Sequence, residues 1–211
     1  MPTFFLTALR KDGKMSQGER NLQSKYGTSR RAEAFYNNQM LDYLNTDMAQ
    51  FISEQEMVFV ATSDSNGNCD NTFRAGDAGF VRVLDERTLM YPEYRGNGVM
   101  ASLGNISENP HIGLMFIDFF DHHIGLHVNG TAEILENDAL STLGIDDTTI
   151  SKLHQEENGR AERWVIIRVD EAYIHCSKHI PHLVKKSEVI DWGTDDEKKK
   201  GGDFFNVRQR K

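Results

Sequence analysis

The 211-residue sequence has few cysteines, no long apolar stretch and a shortage of positive charge. Its two cysteines, Cys69 and Cys176, cannot build a disulfide framework. No hydrophobic run reaches the roughly 20 residues that a bilayer-crossing helix needs, and the opening stretch of residues 1–10 is too short for a signal peptide. The expectation is a soluble, cytoplasmic protein with no membrane partner. Lys and Arg number 24 against 32 Asp and Glu, a formal net charge of −8. Non-specific nucleic-acid binding needs a basic face to displace counterions, so this balance argues against a nucleic-acid partner. A small anion held by one or two local cations stays open. Hydrophobic residues make up 38%, below the usual share, but the chain is long enough to bury a core without staples, and its 12 Phe argue against disorder throughout.

Residues 1–27 read as an arm, with Phe4, Phe5 and Leu6 ahead of a polar stretch holding Gly13, Gly18 and Gly27. Thr28 and Ser29 then open a helical preface. Ala34, Leu41, Leu44, Met48, Phe51 and Ile52 recur mostly at spacings of three, four and seven, the face of a packing helix. Asn45-Thr46-Asp47 interrupts it, and Thr46 or Asp47 is expected to cap a second short helix. From Met57 the rhythm changes to short runs between turns: strands over 57–63, 69–74, 79–84 and 88–92, with a primed hairpin turn at Asn66-Gly67. A helix of about two turns over 99–107 is stopped by Asn109-Pro110. Strands over 111–118 and 124–136 follow, the second bending at Gly130. Residues 137–157 read as helical in pieces. A last strand spans 163–177, where Val165, Ile167 and Val169 alternate against polar neighbours. The main domain is therefore 28–184, mainly β with its helical preface. Residues 185–211 form a charged tail, where Asp195-Asp196-Glu197 meets Lys198-Lys199-Lys200 and Gly201-Gly202, a composition of weak order.

The richest chemistry lies between Thr72 and Ile117. The residues are Thr72-Phe73-Arg74-Ala75-Gly76-Asp77, Gly79-Phe80-Val81-Arg82-Val83, and Leu89-Met90-Tyr91-Pro92-Glu93-Tyr94-Arg95-Gly96-Asn97. Ser102-Leu103-Gly104-Asn105-Ile106, Asn109-Pro110 and Ile112-Gly113-Leu114-Met115-Phe116-Ile117 follow. A loop holding Gly96 and Gly98 that leads into a helix start exposes backbone N–H groups and the positive end of a dipole, a good phosphate site. Arg74 and Arg95 can add charge-assisted hydrogen bonds, and Asn97 and Ser102 neutral ones. The run Gly96-Asn97-Gly98-Val99-Met100-Ala101 also matches a dinucleotide fingerprint, with Asp118 ending the next strand. The intervening helix is too short for a crossover, however, and strands and helices do not alternate as a doubly wound sheet requires.

Taken together, these segments resemble the flavin-binding part of the pyridoxamine 5′-phosphate oxidase-like family, in its divergent branch of related flavin-nucleotide-binding proteins. The likeness is carried by Arg74-Ala75-Gly76-Asp77 before Gly79-Phe80-Val81, by Pro92-Glu93 followed by Gly96-Asn97, by Ser102-Leu103 before Asn105-Ile106 and Asn109-Pro110, and by Ile174-His175-Cys176-Ser177-Lys178. It covers residues 51–182. The resemblance implies an FMN-binding split β-barrel, six-stranded and Greek-key, with flanking helices. It also implies a homodimer with the flavin at the subunit interface and a small-molecule substrate, with NADH or NADPH as electron donor. It places Arg74 at the FMN phosphate, and Gly96, Asn97 and Ser102 around the phosphate and ribityl chain. Thr72, Phe73 and Pro92-Glu93-Tyr94 would line the isoalloxazine, and Lys178 and Trp192 would come from the other subunit. The chain departs from the family's oxidases in having Ala101-Ser102 where they carry Arg-Lys, and in lacking their basic C-terminal signature, of which Asn206-Val207-Arg208-Gln209-Arg210 is a faint echo. Pyridoxamine phosphate is therefore not the expected substrate. The implied activity is an FMN-dependent oxidoreductase. The alternatives are a non-catalytic flavin carrier or sensor, or a split barrel that holds deazaflavin or haem. Tyr94 and His175 are the only candidates for a proton donor.

Asp118, Asp121, His122, His123 and His127 gather around a hairpin, and His175-Cys176 precede His179 and His182. Zinc takes such ligands. No complete four-ligand signature is present, and neighbours such as His175 and Cys176 point to opposite faces of a strand, so no metal is expected. Neither cysteine stands in a nucleophile setting, and both read as small structural residues.

Overall fold

A computed structural model describes residues 16–186, 190–194 and 196–210. Phe4, Phe5, Leu6 and Gly13 of the arm and Asp195 of the tail lie outside the described residues. The chain divides into two compact units, residues 1–40 and 41–211. In the first, helix α1 (Gln17–Lys25) begins at a capping box. Ser16 accepts from the Glu19 N–H at 3.1 Å, and the Glu19 carboxylate accepts from the Ser16 N–H at 2.7 Å. The sequence reading missed this helix. Helix α2 (Ser29–Gln39) follows, tied to α1 by Gln23 Nε2 donating to the Tyr36 hydroxyl at 2.8 Å. A two-residue strand, β1 (Met40–Leu41), spans the division.

The second unit starts with α3 (Thr46–Ser53). Its cap is Asn45, not Thr46 or Asp47: the chain is still extended at Asn45, whose Oδ1 accepts from the Met48 N–H at 2.9 Å. Asp47 instead sits in the first turn, favourable to the helix dipole. The strands are β2 (Met57–Ser63), β3 (Cys69–Ala75), β4 (Arg82–Asp85), β5 (Thr88–Tyr94), β6 (His111–Ile117), β7 (Gly125–Glu136) and β8 (Ala161–His175). They form one antiparallel path in the order β3-β2-β6-β7-β8-β5-β4. Helix α4 (Ala101–Glu108) packs on β2, β3 and β7, while α5 (Asp147–Glu157) and a 3₁₀ helix (Asn137–Leu143) lie beyond β7. This mainly antiparallel sheet with flanking helices is consistent with a split barrel. All seven strands read from the sequence are present, one more along the path than the six the resemblance implies.

Two local differences have clear causes. The expected strand over 79–84 starts only at Arg82, because Gly79 takes a φ of +79° in a turn where its N–H reaches the Gln55 carbonyl at 3.1 Å. A Cβ on Gly79 would press on the Ser53 carbonyl at 3.0 Å. Phe80 and Val81, lifted out of the ladder, plug the core instead. The bend at Gly130 is a bulge: pairing with β8 shifts between Asn129 and Gly130, and any side chain at 130 would collide with the Arg168 carbonyl.

The main core lies on one side of the sheet, where Val58, Val60, Leu114, Phe116, Val128, Val165 and Ile167 meet Leu103 and Ile106 of α4. A smaller core of Met90, Leu140, Leu153, Trp164 and Ile166 lies on the other side, beneath α5 and the 3₁₀ helix. The middle of β8 is thus covered on both faces, so Trp164 and Ile166 are as buried as the residues they alternate with. Both cysteines are exposed, not structural. No helix among the described residues is long and apolar enough to cross a membrane.

Candidate functional site

β3, the end of β5, the start of β8 and the start of α4 converge on a cavity of about 520 Å³. Strand alternation decides what β3 contributes. Thr72 and Arg74 face the cavity, while Phe73 points the other way, 51% exposed, with its ring 5.6 Å from that of Phe59. β5 and β8 contribute through an irregularity. Glu93 pairs with Arg163 and Tyr94 pairs with Ala161, so Glu162 is an extra residue in the ladder. Such a bulge re-aims side chains. Here it lets the consecutive residues Glu93 and Tyr94, and Glu162 and Arg163, all reach the cavity wall.

The loop from Arg95 to Met100 closes one side. Asn97 Oδ1 accepts from the Val99 N–H at 2.9 Å, and Gly98 and Met100 both take left-handed backbone, φ 81° and 55°. For Met100 this carries strain of about 1–2 kcal/mol. The turn delivers the chain into α4 with no side chain capping the helix. The first internal bond runs from the Gly104 N–H to the Met100 carbonyl at 2.8 Å, so the N–H groups of Ala101, Ser102 and Leu103 precede the ladder at the cavity wall. Ser102 is buried, its hydroxyl 3.4 Å from Asp70 Oδ2.

Arg74 is held by a fork. Its Nε donates to Glu93 Oε2 at 3.2 Å, its Nη2 to Glu93 Oε1 at 2.9 Å, and its Nη1 to the Thr72 hydroxyl at 2.8 Å. Burial pushes the Glu93 carboxyl above its ordinary value, against the pull of Arg74. Arg163 donates to Glu162 at 3.2 Å and lies 3.8 Å from Glu136. Tyr94 turns its hydroxyl away from the cavity and donates to Glu157 Oε2 at 2.8 Å. Glu157, 4% exposed, also accepts from Arg82 at 3.2 Å and lies 3.8 Å from Arg160. Burial, followed by the Glu157 charge, pushes the Tyr94 phenol well up.

Of the residues nominated from sequence, Thr72, Arg74, Glu93, Tyr94, Gly96, Asn97 and Ser102 line this one cavity. Phe73 and Pro92 do not, nor do Lys178, exposed in the turn after β8, and Trp192, whose carbonyl accepts from Arg160 at 3.4 Å. His175 lies off the cavity too, its Nδ1 2.9 Å from Nε2 of His127. Arg163 and Glu162 line the cavity but were not nominated; only the register of β5 on β8 shows them facing it. Asp118, grouped with the histidines in sequence, organises its own turn. Its carboxylate accepts from the N–H groups of Phe120, Asp121 and His122 and from His122 Nδ1, at 2.8 to 3.0 Å. Burial works to raise the Asp118 carboxyl, but these donors outweigh it and hold it below the carboxylate range.

Comparison with known proteins identifies a family. The family model of pyridoxamine 5′-phosphate oxidase matches residues 44–176. No curated protein matches in sequence. Similar solved structures include HupZ from Group A Streptococcus, 24% identical over 62% of this chain and 93% of that one, with a TM-score of 0.48. HutZ, the heme storage protein from Vibrio cholerae, is 14% identical over 62% and 94%, with a TM-score of 0.43. An FMN-binding protein from Syntrophomonas wolfei is 7% identical over 80% and 99%, with a TM-score of 0.44.

Proposed function

Because this chain belongs to the pyridoxamine 5′-phosphate oxidase family, we propose that its cavity of about 520 Å³ binds FMN. One observation carries this reading: the uncapped start of α4 opens into the cavity that also holds Arg74. The N–H groups of residues 101–103, at the positive end of the helix, suit a phosphate, and Arg74 adds charge-assisted donors. Asn97 shapes the loop and Ser102 supplies a hydroxyl beside it, fitting the phosphate and ribityl chain. Thr72 and the Tyr94 ring flank the space left for the isoalloxazine. The volume is in the range that small-molecule sites take. The donor set therefore fits the group.

When bound, FMN supplies two-electron chemistry, here between a reduced nicotinamide and a small acceptor. The chain binds and orients the ring and excludes water. Tyr94 is not the proton donor, because its proton is already committed to Glu157. His175 lies off the cavity, so this reading assigns no acid or base to either residue. The same reading makes the protein a homodimer. Neighbouring positions across five strands set Phe73, Phe59, Met115, His127 and Tyr173 in one row. Alternation puts that row on the side of the sheet opposite Val58, Val60 and Leu114. A second copy covering it would make that row the dimer interface.

The test is a visible absorption spectrum of purified protein before and after FMN addition and desalting. Flavin bands that survive desalting and bleach with NADH or NADPH are expected. Retained flavin that neither nucleotide reduces makes the protein a carrier or sensor. Loss of all flavin, or a Soret band in its place, overturns the FMN assignment in favour of another ligand such as deazaflavin or haem.

A further inference from the structure

Arg74 faces the cavity with its charge already engaged. Glu93 takes its Nε and one Nη2 hydrogen, and Thr72 takes one on Nη1, at 2.8 to 3.2 Å. A guanidinium has five N–H donors, so two remain for a ligand. The pair belongs to the cavity wall and not to either hydrophobic core. The Glu93 side chain is only 13% exposed, so its charge is poorly screened from anything bound beside it. An anion entering here can take the two remaining donors, but it meets a cation whose field is largely cancelled and lies beside a carboxylate that repels it.

We propose that Glu93 sets the cavity's ligand specificity: its carboxylate holds Arg74 in reserve and weakens the preference for a phosphate-terminated flavin over a phosphate-free one. This inference rests on the FMN reading above. It makes Arg74 a tuned contact, and FMN a cofactor held less tightly than an uncompensated arginine would hold it. The bidentate geometry gives this role a direction. Glu93→Gln keeps an oxygen acceptor for Arg74 but removes the competing charge.

The experiment titrates FMN and riboflavin, by quenching of flavin fluorescence, into flavin-stripped full-length protein. Four forms are compared: wild type, Glu93→Gln, Arg74→Met and the double variant. Glu93→Gln should raise the FMN-over-riboflavin affinity ratio by on the order of tenfold, with riboflavin affinity little changed. Arg74→Met should lower the ratio, and the gain from Glu93→Gln should vanish in its background. Glu93→Ala, which removes the carboxyl outright, must move the ratio in the same direction as Glu93→Gln. Flavin binding with a ratio that Glu93→Gln leaves unmoved or lowers overturns the role of Glu93 and leaves the FMN reading standing. Failure of the wild type to bind either flavin overturns both.

Discussion

The ribbon formed by β5 and β8 has two ends built from the same pairing and put to opposite uses. Along its middle, Leu89, Tyr91, Val165 and Ile167 enter the main core while Met90, Trp164 and Ile166 enter the smaller one, so both faces are dry. At its far end, beyond Pro92 and Trp164, the bulge at Glu162 brings Glu93, Tyr94 and Arg163 to the cavity. The hydrogen-bonded ladder continues, but the side chains turn from apolar to charged. A rigid core segment that runs directly into a site fixes the site's geometry without a mobile loop between them. Stability should therefore reside at one end of the ribbon and ligand affinity at the other.

Trp164→Ala is the severest test of that division. The side chain is fully buried, and its Nε1 donates to Asn137 Oδ1 at 2.9 Å. The expected loss is about 3–5 kcal/mol, read from urea unfolding, with near-normal FMN affinity in the molecules that remain folded. A specific loss of affinity would erase the division. Glu157→Gln, behind the site, should cost about 2 kcal/mol, because three partners lose a buried charge. It also has a pH consequence. The Tyr94 phenol titrates above its ordinary value of 10.0 in the folded protein, so its contribution is intact below that pH and is lost as pH rises beyond it. Wild type should lose stability above pH 10.0 and Glu157→Gln should lose less of it, as urea midpoints on either side of that value will show.

At the site end the balance should reverse. Arg74→Ala should weaken FMN binding by about tenfold or more while costing about 1–3 kcal/mol of stability, less than Trp164→Ala, for leaving Glu93 without its partner. Unchanged flavin affinity, read by fluorescence titration, would return Arg74 to a purely structural role. Tyr91 sharpens the comparison from the core side. Its hydroxyl is buried with no hydrogen-bond partner among the described residues, and burial pushes its phenol up. Tyr91→Phe should therefore raise stability by about 1 kcal/mol in urea unfolding and leave flavin affinity alone.

How far the sequence revealed these two ends follows from what each depends on. The strand over 57–63 and the helix stopped by Asn109-Pro110 rest on local periodicity and turn chemistry, and both are where expected. Arg74, Asn97 and Ser102 came from motif order, and the cavity gathers them. Alternation alone separates Phe73 from Thr72 and Arg74, since neighbours on a strand cannot share a face. The bulge is the exception to that rule, and no local signal marks it. Glu162 and Arg163 were missed because their orientation depends on register against a strand far away in sequence. Trp164 and Ile166 are buried by α5 and the 3₁₀ helix, a cover that β8's own pattern does not announce.

The smallest expected effect concerns the loop that completes the site. Met100 holds a left-handed backbone, which costs a non-glycine residue about 1–2 kcal/mol, and it does so where the chain enters α4 at the cavity wall. Met100→Gly relieves that cost, but glycine's greater freedom in the unfolded chain takes much of it back. The unfolding free energy should therefore move by no more than about 0.5 kcal/mol, upward. Ligand affinity should move the other way, falling roughly threefold, because the freed loop no longer holds the start of α4 in one orientation. Paired thermal unfolding and FMN titration measure both quantities on one sample. A gain in stability with unchanged affinity would show that the strain at Met100 serves the turn alone. Opposite shifts would show that this end of the ribbon gives up stability to hold a ligand.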